Sequence, residues 1–263
     1  MSKASKRERQ RLNREARREY EERAAKRRRT MRTGRRFAIL GVPVVVVLVV
    51  LAVSGGGGSS SAGAVTCQSA SRPPPKATHL SAPTLGVSTN VTYQASVRTT
   101  CGTIQLALDT QQYPKAVNNF VALANQGFYD NLAFVRAVKG FVVQAGSPDQ
   151  TNQTANNGPG YTIQAETPTT QAGRPTYPVG TVAFAKSSAA PAGSADSQFF
   201  IVTGAQGAAL PASYAVIGRV TKGLAVAKKI ESFAPASGDG PPTTPVVIKA
   251  VRITTGGAPP PSS

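Results

Sequence analysis

The chain has 263 residues, enough for one large domain with appended segments, and its formal net charge is +18. It contains one histidine, His79, and two cysteines, Cys67 and Cys101. One histidine excludes a multi-histidine metal site, and the spacing of the two cysteines is not that of a C-x-x-C motif. We also expect no histidine-based catalytic triad.

Residues 1–36 hold much of the charge. They carry 16 of the 30 Lys and Arg residues but 5 of the 12 Asp and Glu residues, a net charge of +11. A basic stretch beside an apolar span typically stays in the cytoplasm, so we interpret this segment as a topogenic flank. The alternative is that this arm is the working part, on nucleic acid or lipid. No aromatic residues are interleaved to stack on bases, so we expect no nucleic-acid partner.

Residues 37–53 read FAILGVPVVVVLVVLAV and contain no charged residue. The run is at the short end for a membrane-spanning helix. It predicts a single-pass anchor in the cell membrane, with the amino terminus cytoplasmic and the remainder extracytoplasmic. The alternative is a cleaved signal peptide, because Ala52, Val53 and Ser54 are the small residues that cleavage requires. A 36-residue basic lead is long for a signal peptide, which favours the anchor.

Residues 54–90 are predicted to be a linker. GGGGSSSAG is typical of a flexible chain, and RPPPK of a stiff, extended one. If the predicted topology holds, Cys67 and Cys101 both lie outside the cytoplasm, where a disulfide can persist. Closing a loop of about 35 residues would contribute about 3–4 kcal/mol in the chain-entropy model. The alternative is two free thiols.

Residues 91–255 are rich in short β-type runs. A helix is predicted from Pro114 to Gln126, ended by Gly127, and a second from Gly223 to Phe233. Residues 147–176 are predicted to be mainly loop, and residues 256–263 a disordered tail. Many strands with only two helices imply a closed antiparallel barrel capped by helices. The predicted strands are 91–99, 103–108, 132–138, 141–146, 180–185, 197–203, 214–221 and 246–254.

The stretch 132–146, LAFVRAVKGFVVQAG, holds two apolar runs that a Lys-Gly break joins into a hairpin. Strand alternation predicts that Phe134, Arg136 and Val138 share one face, and Gln144 lies in the second run. One cation, one amide and several apolar groups suit a groove for an uncharged apolar ligand with a polar backbone. The alternative is a strand pair with a surface arginine and an edge glutamine.

The pattern F-x-R-x-x-x-G-F-x-x-Q-x-G in this stretch is followed by SQFFI at 197–201 and AVIGRV at 215–220. This combination resembles the cyclophilin-type peptidyl-prolyl cis-trans isomerases over roughly residues 91–255. The resemblance implies an eight-stranded antiparallel barrel capped by two helices, here preceded by one transmembrane helix. It also implies isomerase activity on proline-containing polypeptides that assists protein folding. We expect the chain to act as a monomer.

The resemblance also implies the site residues. It places Arg136 at the family's catalytic arginine. Val142 stands where a methionine is common, Lys186 where an asparagine is common, and Tyr214 where many members have histidine. The substrate-binding positions that it implies are Phe141, Val142, Gln144, Ala185, Lys186, Gln198, Phe200, Leu210 and Tyr214.

Rotation about an X–Pro bond faces a barrier of roughly 18–20 kcal/mol, because the amide nitrogen shares its lone pair with the carbonyl. No bond is made or broken, so neither nucleophile, base, metal nor cofactor is needed. Acceleration needs an apolar pocket for the proline ring and a donor to the twisted amide. The guanidinium of Arg136 suits the second role. The alternative is a non-catalytic module that binds proline-containing peptides as a chaperone or scaffold; the presence of Arg136 favours the enzyme.

Overall fold

The computed structural model describes residues 65–151, 158–170 and 176–256, which belong to one compact unit. The predicted basic segment (1–36), the predicted transmembrane helix (37–53) and most of the predicted tail (256–263) lie outside these residues. Within the described ranges, no helix is long and apolar enough to cross a membrane.

Eleven strands and two α-helices are found among the described residues. The helices are α1 (Pro114–Asn125) and α2 (Leu224–Glu231), and a 3₁₀-helix spans Ala205–Ala209. The strands are β1 (Thr92–Thr99), β2 (Gly102–Leu108), β3 (Leu132–Val138), β4 (Val142–Ala145), β5 (Ile163–Gln164), β6 (Thr181–Phe184), β7 (Ser194–Ala195), β8 (Phe199–Val202), β9 (Val216–Lys222), β10 (Asp239–Gly240) and β11 (Val247–Gly256).

Eight of the strands close into a barrel. Their order is β3-β11-β1-β2-β9-β6-β8-β4, and pairing of β4 with β3 completes the ring; every pair is antiparallel. The prediction of a closed eight-stranded antiparallel barrel with two helices is confirmed. The strand β10 adds to the outer edge of β3, and β5 pairs with β7 apart from the barrel. These three strands have two residues each, too few for alternation to reveal them.

The helices begin and end where the sequence predicts, within two residues. Pro114 occupies the first turn of α1, where its missing N–H costs nothing, and Gly127 has a φ of 66° just beyond the helix. Helix α1 contacts β11 and β9, whereas α2 contacts β2, β3 and β4. Each helix therefore buries one apolar face on the barrel. The buried apolar residues are Ala116, Val117, Phe120, Val121, Leu123 and Ala124 in α1, and Val226, Ala227 and Ile230 in α2.

The prediction that Phe134 shares a face with Arg136 is wrong. Phe134 is fully buried in the barrel core, whereas Arg136 is partly exposed on the outside. The cause is a bulge in β3. Phe134 pairs with Ala145 and Arg136 with Gln144, so an advance of two residues along β3 corresponds to one residue along β4. A bulge inserts one residue and reverses the faces of the residues on its two sides.

The predicted linker also differs from the structure over residues 65–90. This extended segment, called the strap below, is bound along the barrel and is not a free linker. Gln68 N–H donates to Thr100 O at 2.8 Å, and Lys76 N–H to Pro148 O at 2.7 Å. Proline-rich extended chain makes no internal hydrogen bonds, so its backbone groups are free to bond to neighbours. Val65, Leu80 and Val87 of the strap pack against the barrel core.

Both ends of the strap are fixed by side chains. Near its start, Cys67 forms a disulfide with Cys101 in the turn between β1 and β2. Near its end, the Asn118 side chain of α1 accepts hydrogen bonds from Gly86 N–H and Val87 N–H, at 2.8 and 3.2 Å. The same amide donates to Thr84 O at 3.0 Å. The strap is therefore part of the folded domain.

Candidate active site

A cavity of about 470 Å³ lies on the outer face of the barrel, over β3, β4, β8 and β6. Nine of the ten residues that the sequence assigned to the site line it. The additional lining residues are Asp239 and two serines that follow Lys186. The full lining is Arg136, Phe141, Val142, Gln144, Ala185, Lys186, Ser187, Ser188, Phe200, Leu210, Tyr214 and Asp239.

The register of the barrel strands brings the central residues side by side. Arg136 of β3 is paired with Gln144 of β4, and Gln144 with Phe200 of β8. Phe200 is paired in turn with Ala183 of β6. Residues paired across antiparallel strands point to the same face, about 4.5–5.5 Å apart. One row across the sheet therefore carries a cation, an amide and an aromatic ring in that order.

The floor of the cavity is apolar. Val142 and Phe200 belong to a second hydrophobic cluster, separate from the barrel core, against which Phe141, Leu210 and Tyr214 pack. The rings of Phe200 and Tyr214 meet edge to face with centroids 5.4 Å apart. This cluster exists because β4, β6 and β8 are buried on both faces: one face fills the barrel and the other forms the floor. The result is an apolar slot beside the guanidinium.

Arg136 is held by a carboxylate that the sequence analysis missed. Its Nε and Nη2 donate to Oδ1 and Oδ2 of Asp239, each at 2.7 Å. Hydrogen bonds from this guanidinium lower the pKa of the Asp239 carboxyl from its usual value. Asp239 lies on β10, and no sequence motif links it to an arginine 103 positions earlier. Among the described residues, none accepts a hydrogen bond from Nη1, which leaves that group available to a peptide.

Gln198 does not lie on the cavity wall. It is fully buried, and its Oε1 accepts a hydrogen bond at 2.9 Å from Nε2 of Gln144, which does line the cavity. The carboxylate of Asp196 accepts the Gln198 N–H at 2.8 Å, and burial raises the pKa of this Asp196 carboxyl. The structure thus gives Gln198 a place behind Gln144, where it orients that amide, in contrast to the direct contact that the sequence analysis predicted.

Tyr214 is fixed by a second tyrosine that the sequence analysis also missed. The Tyr177 hydroxyl accepts the Tyr214 N–H at 2.9 Å and donates to the Tyr214 carbonyl at 3.0 Å. Tyr177 is fully buried, and this burial raises its pKa to about 12. The two rings are 6.0 Å apart and nearly perpendicular. A single hydroxyl therefore holds both backbone groups of the residue that closes one side of the slot.

Lys186 lies on the same wall as Tyr214. Its Nζ donates to Ala190 O at 3.0 Å and to Ser187 O at 3.3 Å. The ammonium is 5.4 Å from the centroid of the Tyr214 ring, within the range of a cation–π contact. The preceding residue, Ala185, donates its N–H to Gln198 O at 2.7 Å, which connects this wall to the buried amide pair.

Within the part of the chain that the structure describes, no group of three or more His, Cys, Asp or Glu side chains could hold a metal ion. What the arrangement offers instead is an apolar slot, a charged donor and a neutral amide. It can grip a ring and place hydrogen bonds on the polar backbone next to it.

Sequence comparison identifies the family. The cyclophilin type peptidyl-prolyl cis-trans isomerase/CLD family matches residues 94–253. Peptidyl-prolyl cis-trans isomerase B of Bacillus subtilis (strain 168) is 41% identical over 151 residues, which cover 57% of this chain and 90% of that protein. Probable peptidyl-prolyl cis-trans isomerase B of Mycobacterium leprae (strain TN) is 37% identical over 176 residues, 62% of this chain and 57% of that protein.

The solved structures agree in fold. A cyclophilin type peptidyl-prolyl cis-trans isomerase of Cryptosporidium parvum superposes with a TM-score of 0.52 and 24% identity, covering 63% of this chain and 99% of the other. Barrel, site and comparisons together define the class of protein. The chain belongs to the cyclophilin-type peptidyl-prolyl cis-trans isomerases, and it is an enzyme of that type.

Proposed function

We propose that this enzyme accelerates rotation about X–Pro bonds in polypeptides outside the cytoplasm, where it assists their folding, while residues 37–53 anchor it to the membrane. The observation that carries the catalytic part is the shared cavity of Arg136 and the apolar slot. A ring held in that slot would lie beside a permanently charged donor. The uncatalysed cis-trans exchange of an X–Pro bond takes tens to hundreds of seconds, which is slow enough for an enzyme to accelerate it.

The mechanism follows from the electronic change during rotation. In the planar amide the proline nitrogen shares its lone pair with the carbonyl, and in the twisted transition state the lone pair returns to nitrogen. A donor that reaches this nitrogen stabilises the twisted state more than the planar one, which is the condition for catalysis. The role proposed for Arg136 is to donate from Nη1, while Asp239 holds Nε and Nη2.

The remaining residues fix the substrate. Phe141, Val142, Phe200 and Leu210 would seat the pyrrolidine ring, so that the part of the peptide before proline turns against a fixed ring. Gln144 would bind a backbone carbonyl or N–H of the peptide, oriented by its bond to Gln198. Tyr214 would close the slot. An amide can serve either backbone group because it carries both donor and acceptor atoms.

Replacing the proposed donor tests the mechanism. In the full-length protein in detergent, we expect Arg136→Ala to lower kcat/KM on an X–Pro peptide about 100–1000-fold, the usual loss for a transition-state donor. The matched control is Arg252→Ala, which removes another arginine in an ion pair, with Asp130 at 3.0 Å, away from the cavity. Circular dichroism would verify that both variants fold. Full activity of the Arg136 variant would refute the donor role.

A second candidate function is a non-catalytic module that binds proline-containing peptides. The observation that favours it is the ion pair itself, because two of the three guanidinium nitrogens of Arg136 are already occupied by Asp239. The two candidates differ in one measurement. If the wild-type protein binds an X–Pro peptide in a titration but adds nothing to the background isomerisation rate, the binding module is correct.

Two observations support an extracytoplasmic place of action. The basic segment 1–36 precedes an uncharged apolar run, the pattern of a helix with its amino end inside. The disulfide between Cys67 and Cys101 is of a kind that persists in oxidising compartments and is rare in the cytosol. Together they favour a domain displayed on the outer side of the membrane.

A further inference from the structure

The charges of the ionised groups on the wall of the site cavity do not add up to zero. Three lining residues carry charge: Arg136, Asp239 and Lys186. The first two form a bidentate pair and cancel each other. The ammonium of Lys186 makes no ion pair with any carboxylate in the described part of the chain, since its partners there are carbonyl oxygens. The cavity therefore has one excess positive charge, at a known place on its wall.

The position of that charge is fixed by neutral groups. The carbonyls of Ser187 and Ala190 accept from Nζ, and the ring of Tyr214 lies beneath it. Neutral acceptors hold an ammonium without cancelling its charge. The residue is partly exposed, so the ammonium stays hydrated and its field reaches into the groove. Ser187 and Ser188 also line the cavity, which adds hydroxyl donors beside the cation.

We infer that the enzyme prefers X–Pro segments with an acidic side chain directly before or after the proline, and that Lys186 is the residue that determines this preference. The inference rests on the proposed isomerase function. A carboxylate on a residue adjacent to the seated proline would lie within several ångströms of the ammonium. In water, opposite unit charges about 6 Å apart attract enough for a preference of about 3-fold, and more where solvent is partly excluded.

The test compares peptides that differ in one side chain. One series carries Glu, Gln or Lys before proline, and a second carries them after proline. Catalysed exchange is measured by NMR, so that no coupling protease adds its own preference. In at least one series, we expect kcat/KM for Glu to exceed that for Gln about 3–10-fold, with Lys below Gln. The ratio should shrink as salt is raised, because exposed charges are screened.

Two substitutions at Lys186, one that removes the charge and one that keeps it, assign the effect. Lys186→Gln should bring the Glu-to-Gln ratio close to one, whereas Lys186→Arg should keep it above one. Lys139→Gln is the matched control, because Lys139 is an exposed lysine in the β3–β4 turn that does not line the cavity. It removes the same net charge, and the ratio should remain.

The outcomes distinguish failure of this inference from failure of the proposed isomerase function. If the wild-type protein accelerates the Gln peptides but shows equal kcat/KM for Glu and Gln in both series, the charge preference is wrong and the isomerase stands. If the wild type shows the ratio and Lys186→Gln keeps it, the preference does not come from Lys186 and the inference is wrong, while the isomerase again stands. If none of the peptides exchanges faster than background, the proposed function itself is wrong. The wild-type ratio decides even if Lys186→Gln does not fold.

Discussion

Arg136 donates from Nε and Nη2 to the two carboxylate oxygens of Asp239, so two parallel hydrogen bonds hold the guanidinium plane. A long arginine side chain has about 2 kcal/mol of rotamer entropy, and a planar partner restricts it to one orientation. The pair lies at the cavity edge, where Asp239 is half exposed, so its contribution to stability is small. The main effect of the pair is to orient Arg136, which lines the cavity while its third guanidinium nitrogen makes no bond to Asp239.

Removing that partner should reduce catalysis more than stability. We expect Asp239→Asn to lower kcat on the order of 10-fold, because misplacement of a transition-state donor is costly. The melting temperature should change little. Kinetics on an X–Pro peptide and thermal denaturation would check both. An unchanged or increased kcat would mean that Asp239 competes with the substrate for the arginine and does not position it.

The same pair predicts a small pH dependence. Arg136 lowers the Asp239 pKa in the folded chain, so the carboxylate is stabilised by folding. A lowered folded pKa gives stability that is present at neutral pH and is lost as the pH falls through that pKa. The stability difference between wild type and Asp239→Asn should therefore vanish in acid and not in alkali.

A separate prediction concerns the hydroxyl of Tyr177. This hydroxyl bonds to both backbone groups of Tyr214, and Tyr177→Phe would leave a partly buried N–H and carbonyl without that partner. We expect a loss of about 1–3 kcal/mol in the free energy of unfolding and a several-fold rise in KM, because one wall of the slot loosens. Denaturant titration and peptide kinetics would measure these.

Tyr129→Phe is the matched control for Tyr177→Phe. Tyr129 is also fully buried, but its hydroxyl has no hydrogen-bond partner among the described residues. Its removal should change neither stability nor KM appreciably. Equal effects of the two substitutions would mean that the hydroxyl of Tyr177 does not fix Tyr214.

At the scale of elements, the bulge in β3 places Arg136, and the strap ties together parts of the fold. The bulge turns Arg136 out of the barrel while Phe134 stays in its core. The strap covers apolar surface that would otherwise be exposed and ties α1 to the β1–β2 turn through Asn118 and Cys101. Arg136, at the end of the bulge, lines the site cavity, whereas no residue of the strap, of α1 or of the β1–β2 turn lines it.

The disulfide at the start of the strap predicts a stability effect without a catalytic one. Replacing Cys67 and Cys101 by serine should lower the free energy of unfolding by about 3–4 kcal/mol. The kcat/KM at 25 °C should stay within about 2-fold, because no residue of the strap lines the cavity. Denaturant titration with and without reductant provides the measurement. Reductant should destabilise the wild type to the level of the variant and leave the variant itself unchanged.

At the scale of the whole molecule, the basic segment, the apolar run and the enzyme domain follow one another in a single chain. If residues 37–53 span the membrane, the full-length protein should stay with membranes after a carbonate wash when expressed in bacteria. Protease added outside spheroplasts should digest the domain. A soluble, shortened product beginning near Ser54 would instead establish a cleaved signal peptide. Deleting residues 2–30 should disturb the orientation, because the positive flank holds the amino end inside.

Much of this protein follows from its local sequence. Proline and glycine delimit helix α1, and short apolar runs give the barrel strands. These elements are readable because helix, strand and turn preferences act between near neighbours along the chain. The nine residues of one cavity follow from the family resemblance that the motifs around Arg136 and Phe200 carry.

Only the tertiary structure decided the partners of those residues. Asp239 lies 103 positions from Arg136, Gln198 54 positions from Gln144, and Tyr177 37 positions from the tyrosine it holds. Such contacts depend on strand register and, for Arg136, on the bulge in β3, which moves the side chains that follow it to the other face. The sequence predicts a linker in place of the strap for the same reason: the hydrogen bonds of the strap go to distant backbone, and nothing in a proline-rich segment reveals its partner.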